Sequence, residues 1–417
     1  MLKKIRISII EKIENFIPNM KLKRKMKEII HNIPFLVSKM REKESIKVLF
    51  VIPCLSKWKT ESLYLKMVEN PRFEPLIGVA LMTLDYPSEA VFKYKQLTSY
   101  LDNKGYKYIE ICSTSDFARL KPDIIFHQEA AGGGILKSLM FDNYTKCIYC
   151  YITYALFIPS EIKLINTPYH NICWKIFFES PLIIDYAKKR MDNHGRNTVF
   201  TGVPMTDQLL EAKESLPDPW KKSSRRKRVI WAPHHSIQKN DLLNSGTFLI
   251  YAEIMLQLAD KYKNEIQWAF KPHPVLRSKL NTLWGSERTD KYYKRWAEME
   301  NTQLEEGDYV ALFKYSDALI HDSFSFMVEY LYMNKPCMFL EKQERNGLNP
   351  FGQKCYEQYY KGHNTNDLEH FLECVIDGID SRSAERLQFV KDYLLPPNGK
   401  TASENIINSI LGKGGYD

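Results

Sequence analysis

The feature that most constrains the fold of this chain is an alternation. Short, β-branched apolar runs recur, and most are followed by a segment with helical spacing. The run IKVLFVIPC, from Ile46, is apolar at nearly every position, as expected of a strand buried on both faces. A helical piece (60–70) and the run PLIGVAL come next, then a helix (88–104) and the runs YIEIC, LKPDIIFHQ, CIYCYITY and NTVFTGV. The charged, proline-containing stretch KESLPDPWKKSSRRKR (213–228) interrupts the pattern. It then restarts with VIWAP, a helix over 246–263, IQWAFKP, YSDALIHDS, a helix over 326–333, CMFLE and a closing helix over 401–411. Strands alternating with helices predict parallel sheets covered on both faces. The expected fold class is α/β, with Rossmann-like units at 46–212 and 229–417, a linker at 213–228 and a separate arm at 1–45. The carboxyl ends of both sheets are expected to face a cleft, where ligands bind in open α/β folds.

Three motifs fall just after predicted strands of the second unit. Ser316-Asp317-Ala318-Leu319-Ile320-His321 runs into the small polar turn Asp322-Ser323-Phe324-Ser325, and a helical segment carrying Glu329 follows. A strand, a Ser-rich turn and a helix can aim backbone N–H groups at an anion. A carboxylate one turn further on is placed to reach a ribose hydroxyl. This reading is a nucleotide-diphosphate pocket. Its rival is a helix capped by His321, Asp322 or Ser323 after a core strand. The other two motifs are Trp231-Ala232-Pro233-His234-His235-Ser236 and Lys271-Pro272-His273-Pro274. Histidine exchanges protons near neutral pH, and lysine offers a point charge to phosphate.

His273, His234 and His235 are therefore candidate catalytic residues. His127, at the end of DIIFHQ, is a fourth, with a purely structural role as its alternative. Lys271, Asp322, Ser323, Phe324, Ser325 and Glu329 are candidate substrate-binding residues. No metal is expected: neighbouring histidines rarely point at one ion, and no spaced Asp, Glu or Cys partner is evident. Cys147 and Cys150 form a C-x-x-C inside a strand-like run, where alternate residues face opposite sides, so they are expected to be structural thiols.

Net charge is +9, and residues 1–45 hold 12 Lys/Arg against 5 Glu, so the basic character lies mainly there. Ile5, Ile9, Ile13, Phe16 and Ile17 recur at helical spacing, and Lys21, Lys23, Arg24, Lys25 and Lys27 form a dense cluster. A basic amphipathic helix of this kind lies on anionic membrane surfaces, or packs on its own domain through the Ile face. Nucleic acid is not an expected partner, because no nucleic-acid motif accompanies the charge. No apolar run reaches the roughly 20 residues that span a bilayer. With no secretory signal pattern either, the expected location is cytoplasmic, peripheral on the inner membrane face.

VIWAPHHSI, WAFKPHP and SDALIHDSFSFMVEYLYMNKPCMFL, in this order and spacing, resemble the CDP-glycerol glycerophosphotransferase family of teichoic-acid and capsule polymer enzymes. KVLFVIP, TGVPMTD and TASENIINSIL extend the resemblance more loosely. It implies a GT-B fold and a phosphate role for His273. It also implies that Ser323, Phe324 and Ser325 hold a diphosphate, and that Glu329 binds the ribose of a cytidine nucleotide. Two departures stand out. No Trp-His-Gly is present in the first unit, which leaves His127 as the substitute base. Asp322-Ser323-Phe324-Ser325 stands where many members have Asp-Tyr-Ser-Ser.

The expected activity is transfer of a polyol phosphate, foremost glycerol phosphate, from a CDP-linked donor to a hydroxyl of a glycan or lipid-linked acceptor, with release of CMP. No cofactor is required, and Mg²⁺ on the donor phosphates is compatible with this reading. The alternatives are a nucleotide-sugar glycosyltransferase or epimerase of the same architecture, and a non-catalytic membrane-surface assembly factor.

Overall fold

The computed structural model describes residues 2–82, 87–127, 136–161, 164–221, 225–238, 245–342 and 347–415; the side chains of 2–19, 87–88 and 137 lie outside that description. Two compact units emerge. One is Met1–Tyr154 with Ile162–Met205 and Pro396–Asp417; the other is Ala155–Glu161 with Thr206–Leu395.

The first unit carries β1 (Ile46–Ile52), β2 (Phe73–Ala80), β3 (Tyr108–Ile111), β4 (Ile124–His127), β5 (Ile148–Ile152), β6 (Lys175–Phe178) and β7 (Thr198–Phe200). They form one sheet in the order β3-β2-β1-β4-β5-β6-β7, parallel throughout. The second carries β8 (Lys227–Ala232), β9 (Ile266–Phe270), β10 (Thr302–Leu304), β11 (Ala318–His321), β12 (Cys337–Leu340) and β13 (Tyr360–Gly362). Its order is β10-β9-β8-β11-β12-β13, again all parallel. Each order reverses once, between the first and fourth strands, which creates a switch-point crevice at the carboxyl edge. β6, β10 and β13 were not expected from the sequence.

An aromatic stack fixes the strands beneath the second crevice. Trp231 of β8 lies 5.6 Å from Phe248 and 5.0 Å from Phe270 of β9, and Phe270 lies 5.2 Å from Trp296. Such pairs add about 0.5–1.5 kcal/mol each beyond their buried area. They tie β8 and β9 to the helix Phe248–Lys261, so the strand ends have little freedom.

Several expected boundaries differ from the structure: within the expected first unit 46–212, Ala155–Glu161 and the residues from Thr206 onward belong to the second unit. The closing helix Ala402–Ile410 belongs to the first unit, not the second. There the Lys175 ammonium donates to the carbonyl and hydroxyl of Ser409, and the Asn405 amide donates to Thr201. Its amphipathic pattern announces a helix but not which core it covers. The stretch from 213 is no loose linker: Trp220 is buried, the Lys221 N–H donates to Gln303, and Arg228 pairs with Asp218. Residues 1–45 are not wholly a free arm either. A single helix spans Leu2–Arg41, and its second half packs on the first unit. Ile29 and Met40 are buried, Glu28 accepts from Thr145, and Arg41 donates to the Ile410 carbonyl. The side chains of Ile5, Ile9, Ile13, Phe16 and Ile17 lie outside the described residues. Among the described residues, no helix is long and apolar enough to cross a membrane.

Cys147 and Cys150 are both buried and free, and burial pushes both thiols upward.

Candidate active site

Sheet register assembles the site. Ala232 of β8 lies beside His321 of β11, and Trp231 lies beside Phe270 of β9. The residues following these strands leave the sheet together, at the switch point. The ladder continues past β9: the Lys271 N–H donates to Trp231 at 2.8 Å and the His273 N–H to Pro233 at 3.0 Å. Three imidazoles meet as a result. Ring centroids are 5.0 Å apart for His234–His273, 4.2 Å for His235–His273 and 4.3 Å for His234–His235. The sequence places His234 and His235 side by side but gives no sign that His273 joins them.

The hydrogen bonds fix the tautomers. The Val275 N–H donates to His273 Nδ1 at 3.1 Å, so Nδ1 is an acceptor and the ring proton sits on Nε2. The Ser236 N–H donates to His234 Nδ1 at 3.2 Å. Ser236 Oγ accepts from the N–H groups of Ser245 and Gly246, so its own proton goes to His234 Nδ1, 2.8 Å away. His321 repeats the pattern, its Nδ1 accepting from the Ser323 N–H at 3.2 Å. Burial first, then the charges of His235, Lys271 and Lys279, pulls His273 down to about 3, so the ring is neutral.

Asp322 is fully buried and organises the loops. Its carboxylate accepts from the His234 N–H at 2.5 Å and from the Thr247 N–H and hydroxyl at 2.5 and 2.8 Å. Burial raises it to about 6, against those donors. It therefore ties β8, β11 and the start of the helix Phe248–Lys261 together. Ser236 and Thr247, which sequence reasoning did not single out, hold His234 and Asp322 in place. Gly246 is needed beside them, since a Cβ there would meet the Ser236 carbonyl at 2.8 Å.

The Ser-rich turn departs from expectation in three ways. Its helix is short, Phe326–Glu329, followed by a 3-10 turn at Tyr330–Met333, so the helix dipole is weak. The Ser323 N–H already serves His321. The Phe324 side chain is buried, which leaves only its backbone for a ligand. Ser325 is half-buried at the helix start. Glu329 is buried and accepts from the Tyr309 hydroxyl, a partner with no sequence signal. The Lys271 ammonium donates to the Gly307 carbonyl at 2.6 Å, so at least one of its protons serves the scaffold.

His127 closes β4 at the switch point of the first sheet, beside Val51 of β1. It is buried, and its Nε2 lies 3.1 Å from the Leu139 carbonyl. A carbonyl only accepts, so Nε2 carries the proton. Nδ1 is then a buried lone pair with no hydrogen-bond partner among the described residues. Burial pulls this ring down to about 4, against the Leu139 bond, so it stays neutral at pH 7. The Tyr169 hydroxyl accepts from the His127 N–H and donates to the Cys150 carbonyl, holding the strand end in place.

Nitrogens of His234, His235 and His273 lie within 4.8 Å of one another, the composition of a metal site that the sequence reading did not anticipate. The tautomers above bear on whether one binds there.

Comparisons with known proteins follow this geometry. Wall teichoic acid polymerase TagF, as a variant soaked with CDPG, is similar in fold: TM-score 0.59, 14% identity, 97% of each chain covered. UDP-GlcNAc 2-epimerase from Neisseria meningitidis, bound to UDP-GlcNAc, has a TM-score of 0.55 at 16% identity, covering 89% of this chain and 100% of that one. MnaA from S. aureus, with UDP, has a TM-score of 0.54 at 15% identity, covering 88% and 96%. These likenesses establish the GT-B type of fold. None of the curated proteins matches the chain. Residues 180–412, more than half of the chain, match the CDP-Glycerol:Poly(glycerophosphate) glycerophosphotransferase family, and the chain belongs to that family.

Proposed function

We propose that this chain transfers glycerol phosphate from CDP-glycerol to a hydroxyl of a glycan or lipid-linked acceptor, in the synthesis of a teichoic-acid or capsule-type polymer. The observation that carries the reading is the imidazole cluster and Ser-rich turn at the second switch point, inside the segment matching the family. The acceptor oxygen attacks the donor's distal phosphorus. The phosphorus–oxygen bond to CMP breaks, and CMP leaves with the bonding electrons. The hydroxyl proton goes to His127 Nδ1, a lone pair held ready by the Leu139 carbonyl. His234, His235 and His273 hold the donor phosphates together with backbone N–H groups of the turn and Ser325. Glu329, oriented by Tyr309, takes the ribose. Asp322 and Ser236 position these groups. Catalysis rests on orientation and on preorganised donors around developing charge.

A donor panel with CMP detection tests this directly. CDP-glycerol should turn over and UDP- or GDP-sugars should not; turnover of a UDP-sugar alone would give the assignment to a sugar transferase or epimerase.

Membrane contact belongs to the same proposal. Met20, Lys23, Arg24, Lys27 and His31 share one face of the first helix, all exposed, opposite the buried Ile29. Ile30 and Phe35 are exposed beside them. Basic residues near an anionic surface contribute about 1 kcal/mol each. Deleting 1–24, which removes Met20, Lys23 and Arg24 from that face, should weaken binding to anionic vesicles without unfolding the protein. Deleting 1–45 should destabilise the first unit, because it removes Ile29, Met40 and Arg41. Vesicle binding unchanged by the shorter deletion would place the contact elsewhere.

A further inference from the structure

We infer that His273, in its cluster with His234 and His235, meets the diphosphate as a neutral Nε2–H donor, that the cluster holds the diphosphate without a metal ion, and that His273 takes up no proton on binding. This rests on the donor reading above and specifies the chemistry of its phosphate subsite.

Three clustered imidazoles invite a transition metal. A metal-bound histidine, however, coordinates through one lone pair and donates its other N–H to a carbonyl or carboxylate. Here His234 and His273 are wired the opposite way. Each Nδ1 accepts a backbone N–H from two residues on, Ser236 or Val275, and His234 also takes the Ser236 hydroxyl proton. Coordination through Nε2 would require a proton on Nδ1, setting two donors face to face at 3.2 and 3.1 Å. The tautomer present instead leaves Nε2–H on both rings. No protein acceptor among the described residues engages that of His273. A site made of N–H groups suits phosphate oxygens, as backbone amides do in an oxyanion hole.

The same wiring opposes an imidazolium. Protonating His273 would place the new proton on Nδ1 and break the Val275 bond. The groups acting on this ring are His235, Lys271 and Lys279, with no carboxylate among them. The Asp322 carboxylate accepts from the His234 backbone N–H. The ring therefore serves as a donor in its neutral form, and neither acid catalysis nor a fixed cationic charge is asked of it.

Glutamine separates the possibilities, because its amide donates an N–H but takes no proton and is a poor metal ligand. Titration calorimetry with CDP and with inorganic pyrophosphate, near pH 7.5 in buffers of different ionisation enthalpy and with or without EDTA, reads all three claims. The binding heat should not depend on the buffer, and EDTA should change nothing. His273→Ala should weaken CDP roughly 10- to 100-fold, the loss of a hydrogen bond to a charged group, while His273→Gln should stay within about fivefold of the native protein. Uptake of about one proton per ligand would overturn the inference in favour of an imidazolium. Loss of binding in EDTA, restored by zinc, would overturn it in favour of a metal centre. Glutamine as damaging as alanine would also overturn it. If pyrophosphate behaves as described but CDP does not bind, the inference stands and the donor reading falls; if neither binds, both fall.

Discussion

His127 ends β4 and His321 ends β11, the fourth strands of two sheets wound in the same order. Both rings are buried and both are held neutral by burial, His127 near 4 and His321 near 3. They engage opposite ends of the imidazole. His127 gives its Nε2–H to Leu139 and keeps a lone pair, whereas His321 gives its lone pair to the Ser323 N–H and keeps a proton. His234 and His273 follow the His321 pattern. The first sheet thus ends in a proton acceptor and the second in a set of proton-bearing donors. One local hydrogen bond decides which chemistry a strand-end histidine can perform, and residue type alone does not.

The largest effect should come from the donor side. His273→Ala should lower turnover about 10²–10³-fold, the usual consequence of removing one preorganised donor. The variant should melt close to the native temperature. Near-native CMP release would make His273 structural and erase the contrast. A smaller effect is expected one layer out. Asp322→Ala strands the buried N–H groups of His234 and Thr247, at about 1–3 kcal/mol. A lower melting temperature and weaker CDP binding should appear together. If only stability changes, Asp322 holds the fold and not the site. Smaller again for binding is Ser236→Ala, which removes the hydroxyl donor to His234 and leaves the Ser245 and Gly246 N–H groups without their acceptor, while the Ser236 N–H bond to the ring remains. CDP binding should weaken by about 0.5–1.5 kcal/mol. An unchanged affinity would show that the backbone bond alone sets the ring.

The mildest prediction concerns pH and treats the two switch points alike. Unfolding frees His127 and His321 to titrate near 6.5, well above their folded values of about 4 and 3. The unfolded chain then binds more protons, so their contribution is complete above pH 6.5 and is lost as pH falls toward 4. Asp322, raised to about 6 by burial, works in the reverse direction as a single group. The melting temperature should decline from pH 6.5 to pH 4; a flat profile would mean that these rings are not held neutral.

Much of this was legible in the sequence, for identifiable reasons. Long β-branched runs such as IKVLFVI marked the central strands, and a residue placed just after such a run lands at the carboxyl edge whatever the details of packing. His234, His235, His273 and the 322–325 turn were found that way. The joining of His273 to His234 and His235 was hidden because it depends on β9 lying beside β8, which neither segment encodes alone. Tyr309 was hidden for the same reason, meeting Glu329 only after the chain folds back. The return of Ala402–Ile410 to the first unit was illegible because an amphipathic helix does not name its partner.

Glutamine at two positions tests the central contrast most directly, since its amide can donate an N–H but cannot serve as a base. Turnover of CDP-glycerol, read as CMP release, and CDP affinity by calorimetry should be measured for His127→Gln and His273→Gln side by side. The account predicts that His127→Gln binds CDP like the native protein and loses turnover by about 10²-fold or more. It predicts that His273→Gln keeps CDP affinity within about fivefold and turnover within about tenfold, because a donor replaces a donor. Near-native turnover in His127→Gln, or collapse of turnover in His273→Gln with CDP still bound, would contradict it.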